Sequence, residues 1–349
     1  MSTKPSYFKL KAGDQRDIIA TASEETGRAE SVVEKDIWLC LVLEQLFGMP
    51  GAKAMAFKGG TSLSKVYGAI SRFSEDVDVT IDYRNFAPDT TLQDFKNLSG
   101  NQRKKQGEAL KNSVAAYVSE VLKPYLETQF ATLVDGECGV EISGDEGEEM
   151  RIHYPSRVRE TGGYLKEYVL VEFGGRNIID PNAVHTIRPE IADLFPNVLF
   201  PSAQVTVLAG ERTFWEKVTL VHAACNKPFP EGLNRNSRHW YDLAMLAEHD
   251  CGIRAKTDIA LLEDVVELKS VFFNHSTANY DWCLQGALNL IPTGANLDLL
   301  HADYNAMIAA GMLNGHVLPM DRILGVLEGL QLEINSDSTA RNAQAVGMV

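Results

Sequence analysis

Long apolar runs are missing from this chain of 349 residues. Nothing in it approaches the about 20 consecutive apolar residues that a membrane-crossing helix needs. The opening stretch, residues 1–17, lacks the apolar centre of a signal peptide, so a soluble, cytoplasmic protein is expected. Cysteine is scarce. The five present (Cys40, Cys138, Cys225, Cys251 and Cys283) are an odd number without the two-residue spacing of a thiolate metal site. They read as reduced, structural thiols, Cys40 and Cys225 falling on apolar helical faces. Basic charge is in deficit, with 33 Lys and Arg against 47 Asp and Glu for a net −14. That balance argues against non-specific adhesion to nucleic acid or anionic membrane, and a polynucleotide would have to be met by a local basic patch. Repeats and low-complexity tracts are absent. What is present, 45% hydrophobic and 23% charged residues, is ordinary globular composition, which excludes disordered, collagenous and coiled-coil classes. The length predicts two structural units, or one domain with a large appended lobe.

Residues 31–48 open on Ser31-Val32-Val33-Glu34, a capping-box pattern. Val33, Ile37, Cys40, Leu41 and Phe47 then follow at helical spacing, and Leu39, Leu43 and Leu46 add a second apolar row, so this helix is expected to be covered on most sides. Glu44 interrupts the first stripe and is expected at a rim reaching solvent. A glycine-rich turn and short helix over 59–70 lead into polar/apolar alternation from 73 to 82, a strand pattern. A helix is predicted over 101–123, ended by Pro124. Residues 135–149 carry seven carboxylates and four glycines and read as a solvated hairpin or loop with no catalytic role. Strands are predicted over 150–154, 167–173 and 203–208. After Gly210 the texture changes to helices (211–225, 237–249, 257–270, 297–312, 320–331), which places a lobe boundary near 210. The last dozen residues lack periodicity and are expected to fray.

The chemistry-bearing segment is Phe57-Lys58-Gly59-Gly60-Thr61-Ser62-Leu63-Ser64-Lys65, followed by the run from Arg72 to Asp82. On a strand Ser74, Asp76, Asp78 and Thr80 share one side, and Val77, Val79 and Ile81 the other. Aspartates two residues apart have Cβ atoms roughly 6 to 7 Å apart. That span can bracket two divalent ions about 3.5 to 4 Å apart, as in-line phosphoryl or nucleotidyl displacement uses them. Without a cation the pair repels; Mg²⁺ removes the conflict and suits oxygen ligands. Gly59-Gly60-Thr61-Ser62 offers unobstructed backbone N–H groups, two hydroxyls and a helix start, a cradle for a triphosphate that lacks the Walker spacing.

Four stretches, taken together, resemble the nucleotidyltransferase toxins of the AbiEii/AbiGii and MenT type, within the DNA polymerase beta-like nucleotidyltransferase superfamily. They are Val33 to Trp38, Lys58 to Asp78, Glu211 to Lys217 with Leu220-Val221-His222, and Arg238 to Leu243. The resemblance implies an α/β (α+β) fold: a mixed-sheet nucleotidyltransferase lobe over 1–210, and a mostly helical lobe over 211–349 that closes the active-site cleft. It places the family's glycine turn on Gly59, Gly60 and Thr61, its Ser-x-Asp-x-Asp strand on Ser74, Asp76 and Asp78, its helical lysine on Lys217 and its later aspartate on Asp242. Metal is implied at Asp76 and Asp78, with Glu172, which interrupts an apolar run, as a candidate third ligand or an outward-facing strand residue. Phosphate contacts are implied for Ser74 and Lys217, and Ser62, Lys65 and Arg72 are further substrate-binding candidates in the basic link. Lys217 can otherwise be a solvated surface lysine on an open helical face; Asp242 can orient Lys217, accept a proton or be a surface charge.

The implied activity is Mg²⁺-dependent transfer of a nucleotide from an NTP to an acceptor hydroxyl, the tRNA 3′ end in some members, with a cognate antitoxin as partner. The alternatives are a small-molecule or protein acceptor, or an idle NTP-binding partner module. His153, His222 and His239 lack the i, i+4 spacing of a helical zinc site and read as structural. Phe214, Trp215, Trp240 and Tyr241 read as inter-helix packing. Lys227, Arg235, Arg238 and the Arg151, Arg157, Arg159 group can contact a polynucleotide backbone or be solvated surface.

Overall fold

A computed structural model describes residues 4–144, 147–158, 166–230, 232, 235–313, 315 and 317–347, with side chains described only as far as 339. Arg159, one of the basic group, lies outside the described residues. In chain order the elements begin with α1 (Ala12–Thr26), α2 (Glu30–Phe47), β1 (Met55–Lys58), α3 (Gly59–Lys65), β2 (Asp76–Asp82), α4 (Leu92–Asn97), α5 (Gly100–Tyr117) and α6 (Lys123–Leu133). There follow β3 (Gly139–Ser143), β4 (Glu149–His153), β5 (Tyr168–Asn177), β6 (Asn182–Ile187) and β7 (Ala203–Leu208). The remainder is helical: α7 (Gly210–Cys225), α8 (Ser237–Glu248), α9 (Asp250–Thr257), α10 (Ile259–Phe272), α11 (Trp282–Gln285), α12 (Ala295–Ala309) and α13 (Met320–Gly347).

Two compact units divide the chain. One comprises residues 1–66, 74–89 and 106–208; the other comprises 67–73, 90–105 and 209–349. The first holds a seven-stranded mixed sheet in the order β3-β4-β5-β2-β1-β7-β6, so β2 is its middle strand. β2 runs antiparallel to β1 and parallel to β5. Val77, Val79 and Ile81 are at most 1% exposed, each contributing about 1.5–3 kcal/mol of apolar burial. α2 is buried nearly all round, as its two apolar rows require, and Glu44 stays at the rim with Oε1 accepting from the Ser202 N–H at 2.9 Å.

Four local expectations need correction. The capping box does not form: α2 starts at Glu30 with Ala29 as an N-cap that makes no side-chain bond. Glu34 is instead buried, accepting from the Ser156 hydroxyl and the Arg157 N–H, both at 2.6 Å. Pro124 does not end a helix. The chain widens into a π-helical turn over Val118–Leu122, and Pro124 sits in the first turn of α6, where its missing N–H costs least. The strand predicted from residue 73 starts at Asp76, so Ser74 precedes it. The C-terminal residues continue α13 to Gly347 instead of fraying. Among the described parts of 135–149, β3 and β4 pair as a hairpin, as expected.

In the second unit α8, α9 and α10 pack around α7. Trp215 donates its indole N–H to the Ala255 carbonyl at 3.1 Å and Trp240 to that of Leu290 at 2.9 Å, both rings fully buried. Phe214 and Tyr241 are buried too, so the four aromatics are packing residues. All five cysteines are free thiols. Among the described residues no helix is long and apolar enough to cross a membrane.

Candidate active site

β1 ends at Lys58, which stands opposite Asp78 of β2. The chain must therefore leave the sheet at residue 59, directly beside an acidic side chain. Gly59 makes the exit with φ of +79°, in the left-handed region, and a Cβ there would lie 1.9 Å from Asp78 Oδ2 and 2.7 Å from its Cγ. Backbone conformation and space both demand glycine, and the bend lies against the carboxylate. α3 starts at this bend. Its Thr61 hydroxyl donates to the Asp76 carbonyl at 2.5 Å, and its Ser62 hydroxyl to the Gly59 carbonyl at 2.9 Å. Gly60, Thr61 and Ser62 are buried, and the two hydroxyls fasten the short helix to the strand and to its own first turn.

Asp76 and Asp78 are half-buried on the polar side of β2, opposite Val77 and Val79. Farther along, Thr80 and Asp82 are 1% and 2% exposed. Asp82 is engaged by the Arg84 guanidinium and by the N–H of Arg84 at 2.9 Å. The acidic face is thus open only at its Asp76 and Asp78 end. Parallel pairing sets Asp78 opposite Glu172 and Asp76 opposite Leu170. Directly paired residues share a face, so Glu172 stands beside Asp78, and Glu149 of β4 is paired with Glu172 in turn. Ser74, just ahead of the strand, is half-buried.

Asp76 has a cation of its own: Lys166 Nζ lies 3.2 Å from its Oδ1. Among the described residues no three His, Cys, Asp or Glu side chains are gathered so as to hold a metal. The donor chemistry nevertheless fits a hard divalent cation, because Asp76, Asp78 and Glu172 offer carboxylate oxygens only and stand on one face.

Lys65, expected among the substrate contacts, is ion-paired with Asp36 of α2. Burial alone would lower its pKa, but Asp36 and neighbouring Cys40 outweigh burial and hold the ammonium above its ordinary range. Asp36 also accepts the Glu190 N–H at 2.9 Å.

The helical unit carries the other expected residues. Asp242 of α8 is completely buried and accepts from Arg72 twice, Nε to Oδ1 at 2.6 Å and Nη2 to Oδ2 at 2.8 Å. Lys217 Nζ of α7 donates to the same Oδ2 at 2.8 Å. Burial pushes this carboxyl up, but the two cations outweigh it and hold it well below the usual carboxylate range. So strong an acid is a poor proton acceptor, which leaves orienting Lys217 as the role its chemistry suits. Lys217 is 8% exposed, not on the open face expected of it, because α7 is enclosed by its neighbours. His239 is adjacent in this electrostatic cluster; burial, then Lys217, hold its imidazole neutral, and its buried Nδ1 has no hydrogen-bond partner among the described residues. His222 accepts the Asn289 N–H at Nδ1 and sits 3.1 Å from the Asn279 carbonyl at Nε2, a structural role. His153 sits 3.2 Å from Glu141 on the surface. Arg157 is tied to Gln15 at 2.8 Å, and Arg151 lies over the Tyr168 ring.

Spacing did not single out Lys35, Glu75 and Lys166. Lys35 and Glu75 form a buried ion pair at 2.6 Å. The available signal was Glu34-Lys35-Asp36, three consecutive charges inside an otherwise apolar helix.

The fold is similar to that of a nucleotidyltransferase toxin. The chain superposes on MenT4, a nucleotidyltransferase toxin from Mycobacterium tuberculosis H37Rv, with a TM-score of 0.50 and 16% identity, over 92% of this chain and 89% of that one. At that identity the likeness is one of fold alone. The family described as "Nucleotidyl transferase AbiEii toxin, Type IV TA system" matches residues 42–322, and the chain belongs to that family. No curated protein matches the chain.

Proposed function

We propose that the protein transfers a nucleoside monophosphate from an NTP to an acceptor hydroxyl, with the 3′ end of a tRNA as acceptor. The acceptor hydroxyl gives up its proton to solvent, its oxygen forms a bond to the α-phosphorus, the bond from that phosphorus to the β-phosphate bridging oxygen breaks, and pyrophosphate leaves with its electron pair. Asp76, Asp78 and Glu172 would hold Mg²⁺, two ions in this reading, which neutralise the carboxylates and withdraw charge from the reacting phosphate. Gly59 and Gly60 let the backbone approach the triphosphate without Cβ obstruction. Ser74, Thr61, Ser62 and Lys65 are assigned to this substrate side, Thr61 and Ser62 as the fasteners of the bend and Lys65 through its hold on Asp36, whereas Arg72 is engaged by Asp242. Lys217, steered by Asp242, would offset the charge growing on the pyrophosphate. The 1–210 lobe is read as the nucleotidyltransferase lobe and 211–349 as the helical lobe serving it, in a cytoplasmic protein with a cognate antitoxin.

One observation carries the reading: Gly59 has no room for a single carbon against Asp78, so glycine bend and acid pair are one built feature. Incubation of purified protein with each labelled NTP and total RNA tests it. Label is expected on tRNA with the wild type and on nothing with Asp76→Ala, whose melting temperature should stay near wild type. Full transfer by Asp76→Ala refutes the site. Label on protein or a small molecule moves the acceptor, and nucleotide binding without pyrophosphate release makes the chain a binding module.

A further inference from the structure

The N-terminal approaches to β2 and β5 hold an arrangement that the proposed chemistry does not use. The ladder between these parallel strands starts at Asp76 and Leu170. Glu75 and Lys166 lie ahead of it, where residue 166 has no strand partner among the described residues for its backbone groups. A buried ion pair takes over that task. Glu75 Oε2 accepts the Lys166 N–H at 3.2 Å, while Lys35 Nζ donates to the Lys166 carbonyl at 2.8 Å and to Glu75 Oε2 at 2.6 Å. The side chains of Lys35 and Glu75 are 2% and 3% exposed. Burying such a pair costs much of what its attraction returns, so stability alone is a weak reason for it. Its structural effect is specific: both backbone polar groups of one residue are clamped, and the side chain of that residue is the ammonium lying against Asp76. Lys35 thus reaches the acid pair from α2, ahead of the stretch that the family match covers.

We propose that Lys166 is a positioning residue, the resident cation of Asp76, held there by the Lys35 and Glu75 clamp and competing with a divalent cation for that carboxylate. With Lys166 in place Asp76 has a countercharge 3.2 Å away before any metal or nucleotide arrives. The ammonium also repels an incoming divalent ion, so loading without nucleotide is weak. The inference rests on the reading of Asp76 as a cation ligand. It does not depend on which acceptor is used.

Mn²⁺ binding to the full-length, nucleotide-free protein, followed by isothermal titration calorimetry, tests it. Lys166→Met removes one positive charge a few ångströms from the ion and should tighten Mn²⁺ by about tenfold. Lys166→Arg, which keeps the charge, should stay close to wild type. The double variant Lys35→Met with Glu75→Gln replaces the clamp by a neutral pair of similar size, avoids stranding a buried charge, and should shift Mn²⁺ affinity in the same direction as Lys166→Met. Equal affinities for wild type and Lys166→Met, or no detectable binding by Lys166→Met, overturn the proposal. So does unchanged binding by Asp76→Asn, since the ion then sits elsewhere. Loss of the transfer reading is distinguishable: no labelled product from any NTP, with the Mn²⁺ shift intact, removes the reaction and leaves the role of Lys166 standing.

Discussion

Gly59 is the residue on which the acid pair depends most directly. Its φ of +79° disfavours an L side chain by roughly 1–2 kcal/mol, and a methyl at 1.9 Å from Asp78 Oδ2 forces that carboxylate to turn away. Gly59→Ala should therefore lower the melting temperature by only a few degrees while abolishing nucleotide transfer. Gly174→Ala on β5, where a Cβ meets nothing within 4 Å, should change neither. Calorimetry beside the labelled-NTP assay checks both; an active Gly59→Ala would show that the contact is incidental. The closeness of the bend to Asp78 was legible because it is local: a glycine turn, one short helix and an alternating strand place residues 59 and 78 side by side. Lys166 was not legible, because Asp76 is 90 residues away from it and no spacing rule selects partners at that range.

At the scale of elements, strong periodicity was legible and its absence misled. β1 has four residues and β6 exposes most of its side chains, so neither shows alternation. α13 runs on past residue 331, where Ile334 extends the buried row of Ile323, Leu327 and Leu330, and polar side chains beside that row bind neighbouring backbone. Gln331 accepts the Leu290 N–H at 2.6 Å, and Asn335 both accepts from and donates to the backbone of Leu288. Charge placement within α7 and α8 misled in the same way, since the ion pairs that allow Lys217 and Asp242 to be buried involve Arg72, far away in sequence. Asp242→Asn strands two buried cations and should cost about 3–5 kcal/mol. The same trio governs acid stability. A carboxyl held below its unfolded value stabilises above that value, about 4, and loses the contribution as pH falls through it towards the folded pKa. Glu34 runs oppositely: burial raises its pKa, so its contribution is present at low pH and lost on ionisation, and it cannot produce an acid-side loss. Melting temperatures from pH 7 to pH 3 should therefore fall more steeply for the wild type than for Asp242→Asn; parallel curves would assign acid lability to other groups.

Across the whole molecule, the change of texture at Gly210 was legible because helical periodicity is a local property, whereas membership of a compact unit is not. The chain passes between units after Val66, Phe73, Asp89, Lys105 and Leu208. The short excursions 67–73 and 90–105 carry nothing in their sequence that announces it. Their partners lie beyond 210: Asp242 for Arg72, the Met312 carbonyl for the Phe73 N–H at 2.8 Å, Glu267 for Lys96, and Phe272 for Phe95, with ring centroids 4.9 Å apart. A fragment 1–210 cut at the sequence boundary would expose Phe95, now 2% exposed, and leave the Arg72 guanidinium without its carboxylate. Expressed alone, it should bind a hydrophobic dye and melt without a cooperative transition, and co-expression with 211–349 should restore both solubility and a sharp melt. A fragment that unfolds sharply by itself would mean that the two excursions, and their partners beyond 210, are dispensable for its folding.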